Sequence, residues 1–112
     1  METTPTQIIA ELYRIQTEAA KGVNALYDAE CKLADSENYY DRTLQLAFMD
    51  AQGTVADRTA ISRLKASEAR LAADLAKAEY NRIKLKLKQL ELAQMSTQTI
   101  ARQLETELKV LR

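Results

Sequence analysis

Apolar and small residues in the first half of the chain recur at alternating steps of four and three. The series is Ile8, Leu12, Ile15, Ala19, Gly22, Leu26, Ala29, Leu33, Ser36, Tyr40, Thr43 and Ala47. This period is that of a helix that packs along one seam against another helix. The pattern predicts a long helix whose small seam residues let a neighbour approach closely. The run Ser36-Glu37-Asn38 would allow a local interruption, because these residue types are weaker helix formers.

Residues with special backbone preferences mark the helix ends. Thr4, Pro5 and Gln7 have the spacing of a capping box with proline at the first helical position. Gly53 suits the left-handed conformation that ends a helix, and Thr54 begins a second capping signal.

These signals predict helices over about 5–51 and about 56–111, with a turn over about 52–55. A short connection makes neighbouring helices antiparallel. The predicted fold class is therefore all-α, a long antiparallel helical hairpin that is coiled-coil-like and forms one domain over residues 1–112.

The apolar pattern of the second helix predicts that its buried face changes halfway along its length. Its early stripe is Ile61, Leu64, Leu71 and Leu75. The later register is Tyr80, Ile83, Leu87, Leu90, Gln94, Thr97, Ala101, Leu104, Leu108 and Leu111. A further stripe of Leu85, Leu92 and Met95 lies on roughly the opposite side of the helix.

A helix that is apolar on two sides must be covered on two sides, and one hairpin partner covers only one of them. We therefore expect self-association into a dimer or tetramer, with an antiparallel dimer forming a helical bundle as the leading form. The predicted self-association residues are Leu85, Leu92, Met95, Ile83, Leu87 and Leu90. The alternating run 83–88 also fits a strand, but its residue types and helical flanks favour a helix.

Composition places the chain among helical proteins that lack an obvious reaction centre. There is no histidine and one cysteine, so the commonest general base and intrachain thiolate zinc sites are missing. Glycine-rich phosphate loops are also absent from the sequence. We expect no enzyme activity, no catalytic or metal-binding residues, no cofactor and no small-molecule substrate.

Cysteine usage and hydropathy bear on location. Cys31 has no intrachain partner, which favours a reducing compartment, and we expect it to be a small buried residue. The polar start of the chain has no signal segment, and no stretch is long and apolar enough for a bilayer. The expectation is a cytoplasmic protein without membrane contact.

Charge is distributed unevenly although the formal net charge is zero. Residues 1–56 carry nine acidic and four basic groups, and residues 57–112 carry seven acidic and twelve basic groups. In one interpretation, the acidic helix pairs with the basic helix. In the other, the basic helix contacts nucleic acid. The candidates for that contact are Lys77, Arg82, Lys84, Lys86 and Lys88.

Two adjacent tyrosines, Tyr39 and Tyr40, stand out because neighbouring positions on a helix cannot both face one seam. Tyrosine is enriched among residues that anchor protein partners, so both are candidate anchors. An ordinary core or seam role, with the hydroxyl at the rim, is the alternative.

The succession from the Gly53-Thr54-Val55-Ala56-Asp57-Arg58-Thr59-Ala60 segment to Met95-Ser96-Thr97-Gln98 resembles small helical proteins of tailed bacteriophages. The resemblance runs from about residue 26 to about residue 104 and supplies no catalytic residues. It implies a phage accessory protein in the host cytoplasm, near DNA recombination, replication or counter-defence.

These observations together predict a non-enzymatic helical interaction factor whose partners are its own copies and another protein. A nucleic-acid-binding module that uses the basic second helix is one alternative. A structural or virion assembly protein is another, since it would share the same sequence features.

Overall fold

A computed structural model describes residues 4–111, which form three α-helices and no strand. Helix α1 spans Pro5–Asp50, α2 spans Val55–Lys65 and α3 spans Ser67–Val110. The predicted all-α helical hairpin is confirmed, with α1 as one arm and α2 with α3 as the other. Assembly into a bundle stays a prediction.

The chain divides into two compact units. Unit 1 combines Met1–Ala25 with Ile83–Arg112, and unit 2 is Leu26–Arg82. The ends of the predicted domain, residues 1–3 and 112, lie outside the described residues. That 1–112 behaves as a single domain stays a prediction.

The two predicted N-terminal caps are confirmed by their hydrogen bonds. The amide of Gln7 donates to Thr4 Oγ1 (3.2 Å) and the amide of Thr4 donates to Gln7 Oε1 (3.0 Å). Thr54 and Asp57 form the same reciprocal box, with both bonds at 3.2 Å. Gly53 adopts a φ of 114°, a conformation that residues with a Cβ atom rarely adopt.

The helical arms are interrupted at a different place from the one that the sequence allows at 36–38. Helix α1 passes through 36–38 without a break, whereas the second arm is interrupted at Ala66 (φ −92°, ψ 5°). The hydroxyl of Ser67 donates to the carbonyl of Leu64 (2.8 Å), and such side-chain bonds compete with the regular helical pattern. The amide of Ala66 still donates to Ser62 (2.9 Å), so the arm continues.

The seam of α1 agrees with the sequence. Each of the twelve residues of the predicted series, from Ile8 to Ala47, is buried or half-buried. The three- and four-residue steps therefore identify the face that packs against the other arm.

The predicted early apolar stripe of the second arm is wrong, because it does not lie in the seam. Its members Ile61, Leu64, Leu71 and Leu75 are exposed, with 76% of the surface of Leu64 accessible. The buried residues are instead Ser62, Ala66, Ala69, Ala73 and Ala76. Alanines fit a seam in which two helices approach closely, and leucines would hold the helices apart.

The later register is confirmed from Tyr80 to Leu104, where each member is half-buried. Leu108, near the end of α3, and Leu111, just after it, are exposed. Because Ala69, Ala73 and Ala76 lead into this register at the same steps, the second arm does not change face.

Candidate interaction surfaces

Half of the predicted self-association residues lie in the intramolecular seam of unit 1. Ile83, Leu87 and Leu90 are half-buried there. The side chain of Leu87 lies against Gly22 so closely that a Cβ atom on Gly22 would be 3.1 Å from Leu87 Cγ. Leu87 therefore contacts the other segment of unit 1 directly, at Gly22.

The other half faces away from that seam. Leu85, Leu92 and Met95 expose 58%, 57% and 56% of their surface. Leu85 and Leu92 follow the seam residues Ile83 and Leu90 by two positions, which is a rotation of roughly 200° about the helix axis. We call these three residues the outer stripe, and no contact within unit 1 covers it.

Unit 2 has its small residues inside and its large apolar residues outside. The buried residues are Ala29, Ala47, Ser62, Ala66, Ala69, Ala73 and Ala76. The exposed large side chains are Tyr27, Tyr39, Leu46, Met49, Val55, Ile61, Leu64, Leu71 and Leu75. This distribution is the reverse of that in an ordinary folded core.

Several of these exposed side chains gather on one flank of unit 2, which we call the tyrosine face. Its apolar members are Tyr39 and Leu46, which line a cleft, together with the exposed Met49 and Ile61. A cleft of about 360 Å³ runs between the arms here, lined by Tyr39, Arg42, Thr43, Leu46, Ala47, Asp50 and Lys65. Met49 follows Leu46 by one helical turn and Ile61 precedes Lys65 by one turn, so both lie beside the cleft.

The opposite flank of unit 2 is charged. A cleft of about 330 Å³ is lined by Glu37, Tyr40, Asp41, Arg70, Ala73, Asp74 and Lys77. Glu37 precedes Tyr39 by two positions, which explains why the two clefts open on different sides. The Arg70 guanidinium lies 3.9 Å from Asp74 within this cleft.

The two predicted tyrosine anchors therefore differ. Tyr39 is 62% exposed on the tyrosine face. Tyr40 is half-buried at a seam position and borders the charged cleft. Only Tyr39 presents an apolar ring on an apolar surface.

The predicted nucleic-acid residues are divided between the two units, with Lys77 and Arg82 in unit 2 and the others in unit 1. Lys77 lies in the charged cleft with three carboxylates, and the Arg82 guanidinium donates to Glu79 Oε1 (2.9 Å). Lys84, Lys86 and Lys88 are exposed. Helical geometry directs Lys84 and Lys88 to one side of α3 and Lys86 to another.

The pKa of Glu79 in unit 2 responds to charges on both arms. The hydrogen bond from Arg82 lowers the pKa of Glu79 most strongly, and the charge of Lys32 on α1 lowers it further. The ion pairs Arg70–Asp74 and Arg82–Glu79 of unit 2 each lie within one helix, so the pairing of an acidic arm with a basic arm stays a prediction.

Cys31 is exposed, so its predicted burial is wrong. It follows the seam residue Ala29 by two positions, which turns it outward. A hydrogen bond with the Cys31 thiol, one helical turn away, raises the pKa of the Tyr27 hydroxyl.

Arg58 connects the two sides of the hairpin turn, because its side chain contacts Phe48 at the end of α1. The Arg58 guanidinium donates from Nε (3.2 Å) and Nη2 (3.0 Å) to the carbonyl of Phe48, and its Cζ lies 4.3 Å from the centre of the Phe48 ring. The bonds satisfy a carbonyl in the last turn of α1 that has no helical partner.

Among residues 4–111, no group of three or more acidic or cysteine side chains is placed to hold a metal ion. No helix in the described part of the chain is long and apolar enough to cross a membrane. The chain matches no protein-family model, and no curated protein or solved structure is significantly similar to it.

Proposed function

We propose that this protein is a non-enzymatic interaction factor that packs its exposed apolar side chains against other helices, including those of its own copies. The observation that carries the proposal is the reversed distribution in unit 2, where alanines such as Ala69 are buried and leucines such as Leu71 are exposed.

The energetics of burial support this proposal. Covering a leucine stabilises a structure by about 1.5–3 kcal/mol, against about 0.8 kcal/mol for a single methylene-sized group. Leu64, Leu71 and Leu75 therefore offer more stabilisation to a partner than the neighbouring alanines give to the hairpin. The outer stripe adds a second apolar surface in unit 1.

The setting is proposed from the resemblance to small helical phage proteins. It would be a phage accessory role in the host cytoplasm, in DNA recombination, replication or counter-defence. The lack of histidine in the sequence supports a role by binding rather than by acid–base catalysis.

The experiment is the absolute mass in solution by light scattering, over a concentration series at two salt concentrations. A dimer or tetramer is the expected result. The double variant Leu85→Glu/Leu92→Glu should lower the mass, because charges cannot be buried at an apolar contact. The control is Gln16→Glu/Gln98→Glu, which adds two carboxylates at exposed polar positions of unit 1 outside the outer stripe.

A monomer at every concentration would contradict self-association. It would leave a second protein as the only helical partner of the outer stripe.

A further inference from the structure

We infer, on the basis of the proposed function, that the outer stripe of one copy packs lengthwise against a second exposed stripe on α1 of another copy, with the two helices parallel. This contact covers Leu85, Leu92 and Met95, which nothing in unit 1 covers.

The second stripe lies on α1 within unit 2, and we call it the acid-flanked stripe. Four exposed residues at steps of four, three and four form its centre: Tyr27, Cys31, Ala34 and Asn38. In each of two successive repeats, an aspartate follows the first central residue and a glutamate precedes the second: Asp28 and Glu30, then Asp35 and Glu37. Central residues at this spacing with charged neighbours are the pattern of a coiled-coil contact.

The outer stripe has the spacing of a matching contact. Lys88 lies within it, three residues after Leu85 and four before Leu92, and all three side chains are exposed. Lys84 directly precedes Leu85 and Glu91 directly precedes Leu92, and both are exposed as well. Side chains at these flanking positions reach the partner helix in a coiled coil and set its identity and orientation.

The charges disfavour a contact between two identical stripes. Two outer stripes would bring Lys84 and Lys88 of both copies together, and two acid-flanked stripes would bring carboxylates together. Like charges at an interface lower affinity. The contact therefore joins two different surfaces, one from each copy.

The order of charges along the two helices matches in one parallel register. When Cys31 lies opposite Leu85, Lys84 lies beside Asp35 and Glu91 lies beside Arg42 of the other copy. Each charge then has a neighbour of opposite sign. The same register places the small Ala34 opposite Lys88, which leaves room for the lysine stem to cross the contact.

Other alignments do not satisfy both charges. A shift by seven residues in one direction places Lys84 beside Arg42, and a shift in the other direction places Glu91 beside Asp35. In antiparallel helices, the flanking neighbours come from the side of α1 that carries Glu30 and Glu37, so Glu91 meets no base. The match of a base followed by an acid with an acid followed by a base therefore favours a second copy of this chain.

Charge exchange tests the register without altering the net charge. Lys84→Glu/Glu91→Lys should weaken self-association about tenfold in dissociation constant, because both pairs become repulsive. Asp35→Arg/Arg42→Asp should weaken it equally. An equimolar mixture of the two variants should associate to within about threefold of the original protein, since each exchanged stripe meets its exchanged partner. Sedimentation equilibrium measures each constant.

The matched control is Lys86→Glu/Glu107→Lys, which exchanges a base and an acid at exposed positions of α3 outside the contact. It should leave the dissociation constant within about threefold of the original. Circular dichroism should show the same helix content in every variant, because all of the exchanged residues are exposed.

A photo-cross-linker tests which residues face each other. Benzoylphenylalanine in place of Asn38, in a mixture of isotopically light and heavy chains, should give light–heavy cross-links near Leu92, which this register places opposite. The control position is Ala25, which is exposed and is turned roughly 200° from Tyr27 about the helix axis. It should give no such product.

The outcomes separate this contact from the proposed function. An oligomer that is indifferent to both charge exchanges and gives no cross-link from position 38 overturns the contact and leaves self-association in place. Cross-links from position 38 to α1 of the other copy, or to α3 far from Leu92, overturn the register. A chain that is monomeric at all concentrations overturns self-association and the contact together.

Discussion

The side chain of Leu87 occupies the space where a side chain at position 22 would begin, so the close contact between the two segments of unit 1 at this point depends on the glycine. Gly22→Val should lower the free energy of unfolding by about 1–3 kcal/mol, because the added atoms overlap Leu87 in a filled seam. Urea denaturation followed by circular dichroism measures this change.

The control is Ala20→Val, which introduces the same residue at an exposed position of α1 and costs only helix propensity. Leu87→Ala combined with Gly22→Val should recover part of the loss, since it vacates the overlapped space. Equal effects of the variants at positions 20 and 22 would contradict the close contact.

The alanine seam of unit 2 predicts a sharp contrast between two neighbouring positions. Ala69→Leu should destabilise the hairpin by about 1–3 kcal/mol or more, because Ala69 is buried between closely spaced arms. Leu71→Ala should leave the hairpin fold intact and instead reduce self-association, because Leu71 is exposed. Thermal unfolding and mass measurements on both variants test this contrast. If Leu71→Ala destabilised the fold more than Ala69→Leu, the leucine stripe and not the alanines would form the seam.

The Arg58 contact predicts that a lysine cannot replace this arginine. Arg58→Lys should lower the free energy of unfolding by about 1–2 kcal/mol. A lysine ammonium loses the paired hydrogen bonds to the Phe48 carbonyl and the planar stacking on the Phe48 ring. Faster amide hydrogen exchange in α2 and in the last turn of α1 would show the loosened turn. Arg102→Lys, at an exposed site of α3, should have no such effect.

The Glu79–Arg82 pair makes stability depend on acid pH. The pKa of the Glu79 carboxyl is lowered in the folded protein, chiefly by the Arg82 hydrogen bond. The ionised Glu79 therefore stabilises the folded protein fully at pH values above the ordinary glutamate pKa of about 4.3. This stabilisation is lost as the pH falls through the lowered pKa of the folded state. An NMR titration should place the Glu79 midpoint below that ordinary value.

In Glu79→Gln, the loss of stability between neutral and strongly acid pH should be smaller than in the original protein. Glu91→Gln on the same helix controls for the removal of one carboxylate. A Glu79 midpoint at or above the ordinary range would show that the pair does not form in solution.

The arrangement of the basic residues predicts weak binding to duplex DNA. Arg82 is paired with Glu79, Lys77 shares its cleft with carboxylates, and Lys86 points away from Lys84. Fluorescence anisotropy at about 50 mM salt should detect little binding. Tight binding with a steep salt dependence, lost in Lys84→Ala/Lys86→Ala/Lys88→Ala, would favour the nucleic-acid alternative.

Local signals in the sequence determined the fold class, the turn and the face of α1. Thr4, Gly53 and Thr54 act on the backbone within a few residues, so their effect does not depend on a partner. The series of buried and half-buried residues through α1 follows from periodicity alone, because the regular steps of three and four allow only one continuous seam.

Only the tertiary structure decided which side of the second arm is buried. Hydrophobicity alone favours Leu64 and Leu71, but the depth of the seam depends on how closely α1 approaches, and Ala66 and Ala69 permit the closer packing. A clue was present in the sequence, since these alanines are in phase with the later register at Ile83.

The tyrosine face was likewise beyond the sequence, because it joins side chains from both arms. Tyr39 and Lys65 line one cleft only because the turn brings residues that are far apart in the chain to the same level. Spacing within one helix determines which residues share a face, and the packing of two helices determines which faces meet.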